Sequence, residues 1–209
     1  PFNTDINTVR GQETGYATLN PLDYKGSAPT LTNGNLNAAS SSSWGSVAAT
    51  IGNLTSGLWY WEVTLAGGSG YRTGLSSKSP RTSASAEDLL GSGDIAVNSS
   101  DGHVYVNGST VGTAAGNLSG KTISIALDLN ENSVSFYQNN VLIHKVSSIS
   151  GAWSPVHAYR YSGVDKINFG QKPFKFPPPA GFQSLNLASI RPETVIARPD
   201  QYVGATIYT

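Results

Sequence analysis

The longest alternating stretch of the chain is Leu58-Trp59-Tyr60-Trp61-Glu62-Val63-Thr64-Leu65. Trp59, Trp61, Val63 and Leu65 share one face, and Tyr60, Glu62 and Thr64 share the other. A period of two carried by aromatic and β-branched residues predicts a half-buried strand. Residues 122–129 repeat the pattern, with Ile123, Ile125, Leu127 and Leu129 inward. Asn130-Glu131-Asn132 then turns the chain into 133–137, and Gln138-Asn139-Asn140 turns it again into 141–146. That is a three-stranded meander. Shorter strands are predicted at 46–51, 71–76, 94–97, 103–106, 155–161 and 164–169. Asn33-Gly34 and Asn107-Gly108 tolerate the positive φ of tight hairpins, and Asp101-Gly102 separates two strands. About a dozen short strands, punctuated roughly every ten residues, predict an all-β fold. The expected architecture is an antiparallel two-sheet, jelly-roll-like sandwich.

The ends differ from the middle. Residues 1–29 read as an irregular polar arm, with Tyr16 and Leu19 able to pack on the flank, and 30–176 as the sandwich. Pro177-Pro178-Pro179 cannot donate ladder hydrogen bonds, so 177–209 reads as a stiff connector. Its strand-like end, Ala205-Thr206-Ile207-Tyr208-Thr209, looks like the first strand of a further domain. The chain opens on Pro1 and contains no Met, which points to a piece of a longer protein.

Composition narrows the function classes. Lys plus Arg and Asp plus Glu both number 13, and charged residues make up only 12% of the chain. Without net positive charge or basic blocks there is no long-range attraction for phosphate backbones, so no nucleic acid partner is expected. No apolar run reaches the ~18 residues of a membrane span, so no membrane insertion is expected. The absence of Cys removes disulfides, thiolate metal sites and cysteine nucleophiles together. Ser, Thr, Asn and Gly supply about 40% of the residues, so hydroxyls and amides keep the surface wet.

Candidate chemistry is sparse. His103, His144 and His157 lie on separate predicted strands without partners at ligand spacing, so no metal and no cofactor is expected. Asp128-Leu129-Asn130-Glu131-Asn132 imitates a calcium loop but has Ser133 and Asn139 where the turn glycine and bidentate Glu belong. Gly116 to Thr122 imitates a phosphate loop one residue short, with a strand following where a helix is required. Glycoside hydrolysis needs two carboxylates flanking one bond, and Glu62, Asp94, Asp101, Asp128 and Asp165 are the candidates for inward positions. Trp44 and Trp153 read as core or rim packing.

Several ordered blocks resemble one known family. Gly57-Leu58-Trp59-Tyr60-Trp61-Glu62-Val63 resembles the opening signature of the SPRY domain, a concanavalin-like sandwich. Tyr71-Arg72-Thr73-Gly74-Leu75-Ser76 is similar to its next strand. Residues 125–129 with 134–140 resemble its central hairpin, Asn140 standing where Gly is usual. Ser154-Pro155-Val156 and Ile167-Asn168-Phe169-Gly170 resemble its last strands. The segments 17–23 and 32–36 are similar to sequences beside SPRY domains in modular bacteriophage structural proteins, and 198–202 to the start of a lectin-like module.

The resemblance implies a non-enzymatic binding module working through loops at one end of the sandwich. The matching stretches are 77–94, with Lys78, Arg81 and Asp94, and 157–163, with Tyr159, Arg160, Tyr161 and Ser162. Tyr and Arg combine contact area with directed donors, so Tyr159, Arg160, Tyr161, Ser162, Arg81 and Asp94 are the expected partner-binding residues. The flanks imply a virion protein, a tail fibre or other host-facing appendage. Its partners would be other virion subunits and a host surface protein or glycan, with a homo-oligomer formed through the longer parent chain. The alternatives are a purely structural virion scaffold or capsid-decoration domain, and a carbohydrate-active enzyme on the same sandwich.

Overall fold

The computed structural model describes residues 15–39, 43–67, 70–78, 89–160 and 163–190. Arg81, Tyr161 and Ser162, together with the strand-like end at 205–209, lie outside the described residues. In chain order the strands are β1 (Leu19–Gly26), β2 (Thr30–Thr32), β3 (Asn37–Ala39), β4 (Gly45–Ala49) and β5 (Leu58–Thr64). Next come β6 (Tyr71–Ser76), β7 (Asp94–Asn98), β8 (Val104–Val106), β9 (Ser109–Val111) and β10 (Thr122–Asp128). The last are β11 (Ser133–Gln138), β12 (Val141–Ser147), β13 (Ser154–Tyr159), β14 (Asp165–Asn168) and β15 (Gln183–Ser184), followed by one helical turn, α1 (Leu187–Ile190).

The strands form two sheets. One has seven strands in the order β1-β4-β13-β6-β7-β8-β9; the other runs β12-β11-β10-β5-β14-β3-β2, with β15 added beside β5. The predicted meander is β10-β11-β12, and its second turn places Asn139 and Asn140 at φ of 46° and 69°. Asparagine reaches the left-handed region at modest cost, so the missing glycine leaves the hairpin closed.

The alternation read from β5 holds. Trp59, Trp61 and Val63 sit in one core with Ile123, Ile125 and Leu127 of β10 and Val134 and Phe136 of β11. Val47, Leu75, Ile95, Val97 and Val104 of the other sheet belong to the same core. Gly74 has a packing reason to be glycine. A Cβ there would collide with the Ile95 carbonyl and Ala96 Cα across the β6–β7 pair.

Both expected ends need correction. Residues 19–26 are not an irregular arm but β1, the edge strand beside β4, with Leu19 buried. Pro21 within it is tolerated because an edge strand can leave one side unpaired, and the register shifts between Leu19 and Tyr24. Nor does the chain leave the sandwich at Pro177. It folds back, β15 pairs parallel to β5 (Gln183 opposite Trp59), and Leu185 is fully buried in the core. Tyr16 and Asn186 form an antiparallel bridge, flanked by the bonds Ala17 N–H to Leu185 carbonyl and Leu187 N–H to Gly15 carbonyl.

Candidate interaction surface

β13 lies in the middle of the seven-stranded sheet, between β4 and β6. Its register builds two outward rows: Ser46-Ala158-Arg72-Asn98 and Ala48-Val156-Gly74-Ala96-Tyr105. Ser46, Ala48, Ala96, Asn98, Val156 and Ala158 of these rows are buried. Leu89 forms with Ala48, Ala96, Val156 and Ala158 a cluster separate from the main core, with Trp44 packed against it.

Where β13 stops, two guanidinium groups lie over one indole. The Arg72 guanidinium carbon is 4.2 Å and that of Arg160 5.8 Å from the Trp44 ring centroid. Both are within cation–π range. Arg160 is exposed, Arg72 and Trp44 partly so. Trp44 is therefore a surface platform here, a role its reading as a packing residue had left out.

Tyr159 requires correction as a contact residue. Its pairings with Gly45 and Tyr71 put it on the inner face, where it is fully buried, and its hydroxyl donates to the Ser27 carbonyl at 3.0 Å. A Cβ on Gly45 would strike this ring, so the two residues are mutually fitted. Burial pushes the phenol well above its ordinary pKa, with a further push from Tyr24, so it remains a donor at ordinary pH. Tyr159→Phe should cost about 1 kcal/mol of stability in urea unfolding, the worth of a single neutral hydrogen bond.

Asp94 is corrected likewise. It is 1% exposed; its Oδ1 accepts the Ser76 hydroxyl at 2.6 Å and its Oδ2 the Gly91 N–H at 3.0 Å. Lys78 Nζ stands 3.7 Å away. With Ser77 N–H bonded to the Gly93 carbonyl and Gly93 N–H to Asn107 Oδ1, these contacts close the base of the 77–93 loop. The register also separates the two expected loops. Ser76 and Asp94 lie level with Ser154 at the start of β13, whereas Arg160 follows its end, so their anchors stand at opposite ends of the sheet.

The stems of the 160–164 loop are fixed by a pair that sequence reading missed. His157, 2% exposed, and Asp165, fully buried, meet at 2.9 Å between Nε2 and Oδ2. Asp165 Oδ1 accepts the Ala66 N–H at 2.7 Å. Tyr71 is pushed above its ordinary pKa chiefly by burial, and further by the charge of Asp165.

Glu62 is buried by a segment more than a hundred residues further along the chain. Its Oε2 accepts the Lys175 N–H at 2.8 Å; its Oε1 accepts the Phe176 N–H at 2.8 Å and the Tyr60 hydroxyl at 3.1 Å. Phe174 meets Tyr60 edge-on at 4.8 Å. Burial, with the charge of Glu62 adding to it, pushes Tyr60 far above the usual phenol pKa. Asp128 Oδ1 accepts the N–H groups of Asn130 and Glu131, which makes the calcium-loop lookalike a hairpin turn. The buried acids Glu62, Asp94 and Asp165 thus each accept at least one backbone N–H as structural fasteners.

This arrangement defines a class: an antiparallel two-sheet sandwich that exposes loops and a cation–indole cluster at the rim of one sheet. Residues 58–160 match the family model of the SPRY domain. The fold is similar to the SPRY domain of human HERC1, at TM-score 0.60 and 20% identity, covering 74% of this chain and 99% of that one. It is also similar to the TRIM65 PSpry domain, at TM-score 0.60 and 17% identity over 77% of this chain and 98% of that one. Stonustoxin shares the fold at TM-score 0.57 and 20% identity over 73% of this chain and 27% of its own. No curated protein matches the sequence. SPRY domains are in general protein-interaction modules.

Proposed function

We propose that this domain is a binding module that engages a protein partner at the Arg160 end of the seven-stranded sheet. The observation that carries this reading is the stacking of Arg72 and Arg160 on the partly exposed Trp44 ring. An indole faced by two guanidinium groups offers apolar area together with bidentate donors, the combination concentrated at binding hot spots. It fits a partner segment presenting carboxylates beside an apolar side chain. The flanking segments 17–23, 32–36 and 198–202 support placing the module in a phage virion appendage, facing the host and oligomeric through a longer parent chain. Other virion subunits or a host surface protein or glycan are the partners that this setting suggests.

The test is adsorption of the purified chain to candidate host cells and to the other virion proteins. Trp44→Ala with Arg160→Ala should weaken capture at least about tenfold, the equivalent of ~1.4 kcal/mol, with the β-sheet circular dichroism unchanged. Equal capture by the double variant would refute this site.

A further inference from the structure

On the outer side of the other sheet lies a cleft of about 210 Å³, apart from the Trp44–Arg160 surface. Glu62 and Thr64 of β5, Lys166 and Asn168 of β14, Asn33 and Asn37 around the β2–β3 turn, and Lys172 and Lys175 of the returning segment line it. Three lysines thus line one small cleft in a chain with only 13 Lys and Arg in total. Lys166, Lys172 and Lys175 are all exposed, and among the described residues none has an acid partner. Lys175 Nζ makes a 3.3 Å bond to Thr122 Oγ1, a hydroxyl.

Glu62, the single acid of the lining, does not satisfy these lysines. Both its oxygens already accept the Lys175 and Phe176 N–H groups and the Tyr60 hydroxyl. Asn168 and Gln171 are also occupied, holding the Lys172 and Pro173 carbonyls and the Ala17 carbonyl. What stays available is a set of donors, the lysine ammonium groups, with the Asn33 and Asn37 amides joined only by a long 3.5 Å contact. Amides at that spacing can both give and take hydrogen bonds with hydroxyls.

We infer that this cleft binds a carboxylated sugar of the uronate class. The carboxylate sits among Lys166, Lys172 and Lys175, and the ring hydroxyls face Asn33 and Asn37. The cleft is smaller than a drug-sized pocket and suited to one ring. This site is independent of the Trp44–Arg160 surface, since it lies on the opposite sheet.

The experiment is a chemical-shift titration of the full chain with galacturonate, galactose and inorganic phosphate. Galacturonate should shift the amides of Asn37, Lys166 and Asn168, more weakly as salt shortens the screening length. Galactose should leave them still, and phosphate should bind more weakly than galacturonate. Lys166→Gln with Lys172→Gln, both exposed and outside the core, should reduce galacturonate affinity at least about tenfold. Equal responses to galactose and galacturonate, phosphate binding as tight as the uronate, no response to any probe, or undiminished affinity in the double variant would each overturn the assignment.

Discussion

Asp165→Ala is expected to destabilise the domain by about 2–6 kcal/mol, the cost of leaving two buried hydrogen-bonding groups without their acceptor at roughly 1–3 kcal/mol each. The substitution strands two groups at once: the His157 ring nitrogen 2.9 Å from the lost carboxylate and the Ala66 N–H that donates to its other oxygen. For a chain of this size each kcal/mol moves the melting temperature by about 2–4 °C, so the midpoint should fall by roughly 10 °C. Asp165→Asn keeps an oxygen for Ala66 and offers an amide to His157, and should lie between Ala and the parent chain. A double-mutant cycle with His157→Ala separates the pair from the rest, because contacting residues show coupling where independent ones add. Urea midpoints unchanged in Asp165→Ala would contradict the fastening role.

The second large effect concerns Glu62. Glu62→Ala removes the acceptor for the Lys175 and Phe176 N–H groups and for the Tyr60 hydroxyl. The loss should be about 2–3 kcal/mol, within the range for hydrogen bonds to a charged group. Amide hydrogen exchange localises it. Lys175 and Phe176 should lose protection first, while the β10 and β11 amides keep theirs, since local openings precede global unfolding. Glu62→Gln turns one of the two acceptor oxygens into a donor facing an N–H, so it should release one of the two amides, with a smaller loss of stability. Uniform loss of protection across the sheet would mean that Glu62 supports the core and not the returning segment.

These two residues show where sequence reading ends. The β5 and β10 strands were legible because alternation over seven or more residues admits one register per face, and β11 and β12 because Asn-rich turns bound them. In that alternation Glu62 faces outward, and its burial depends on residues 175–176, which local pattern cannot place. His157 and Asp165 sit only eight residues apart, but on β13 and β14, strands of different sheets. No periodicity assigns a strand to a sheet, so the pair was invisible. Strand β1 was missed because Asn20-Pro21-Leu22 interrupts its pattern, which an edge position with a register shift absorbs. Arg160 was legible as a member of the 157–163 stretch, although the expected strand ran to 161 and β13 ends at Tyr159. Its indole partner was not, because Trp44 reaches it across the β4–β13 pairing from more than a hundred residues away.

The pairing of Gly15-Tyr16-Ala17 with Leu185-Asn186-Leu187 decides how the domain would transmit mechanical tension. Load entering near residue 15 and leaving near 187 meets adjacent, oppositely directed segments and peels their hydrogen bonds one at a time. The sandwich itself stays out of the force path, hanging as a side lobe instead of serving as a link in series. While that clamp holds, a lobe attached in this way would keep its rim undistorted under load applied at residues 15 and 187.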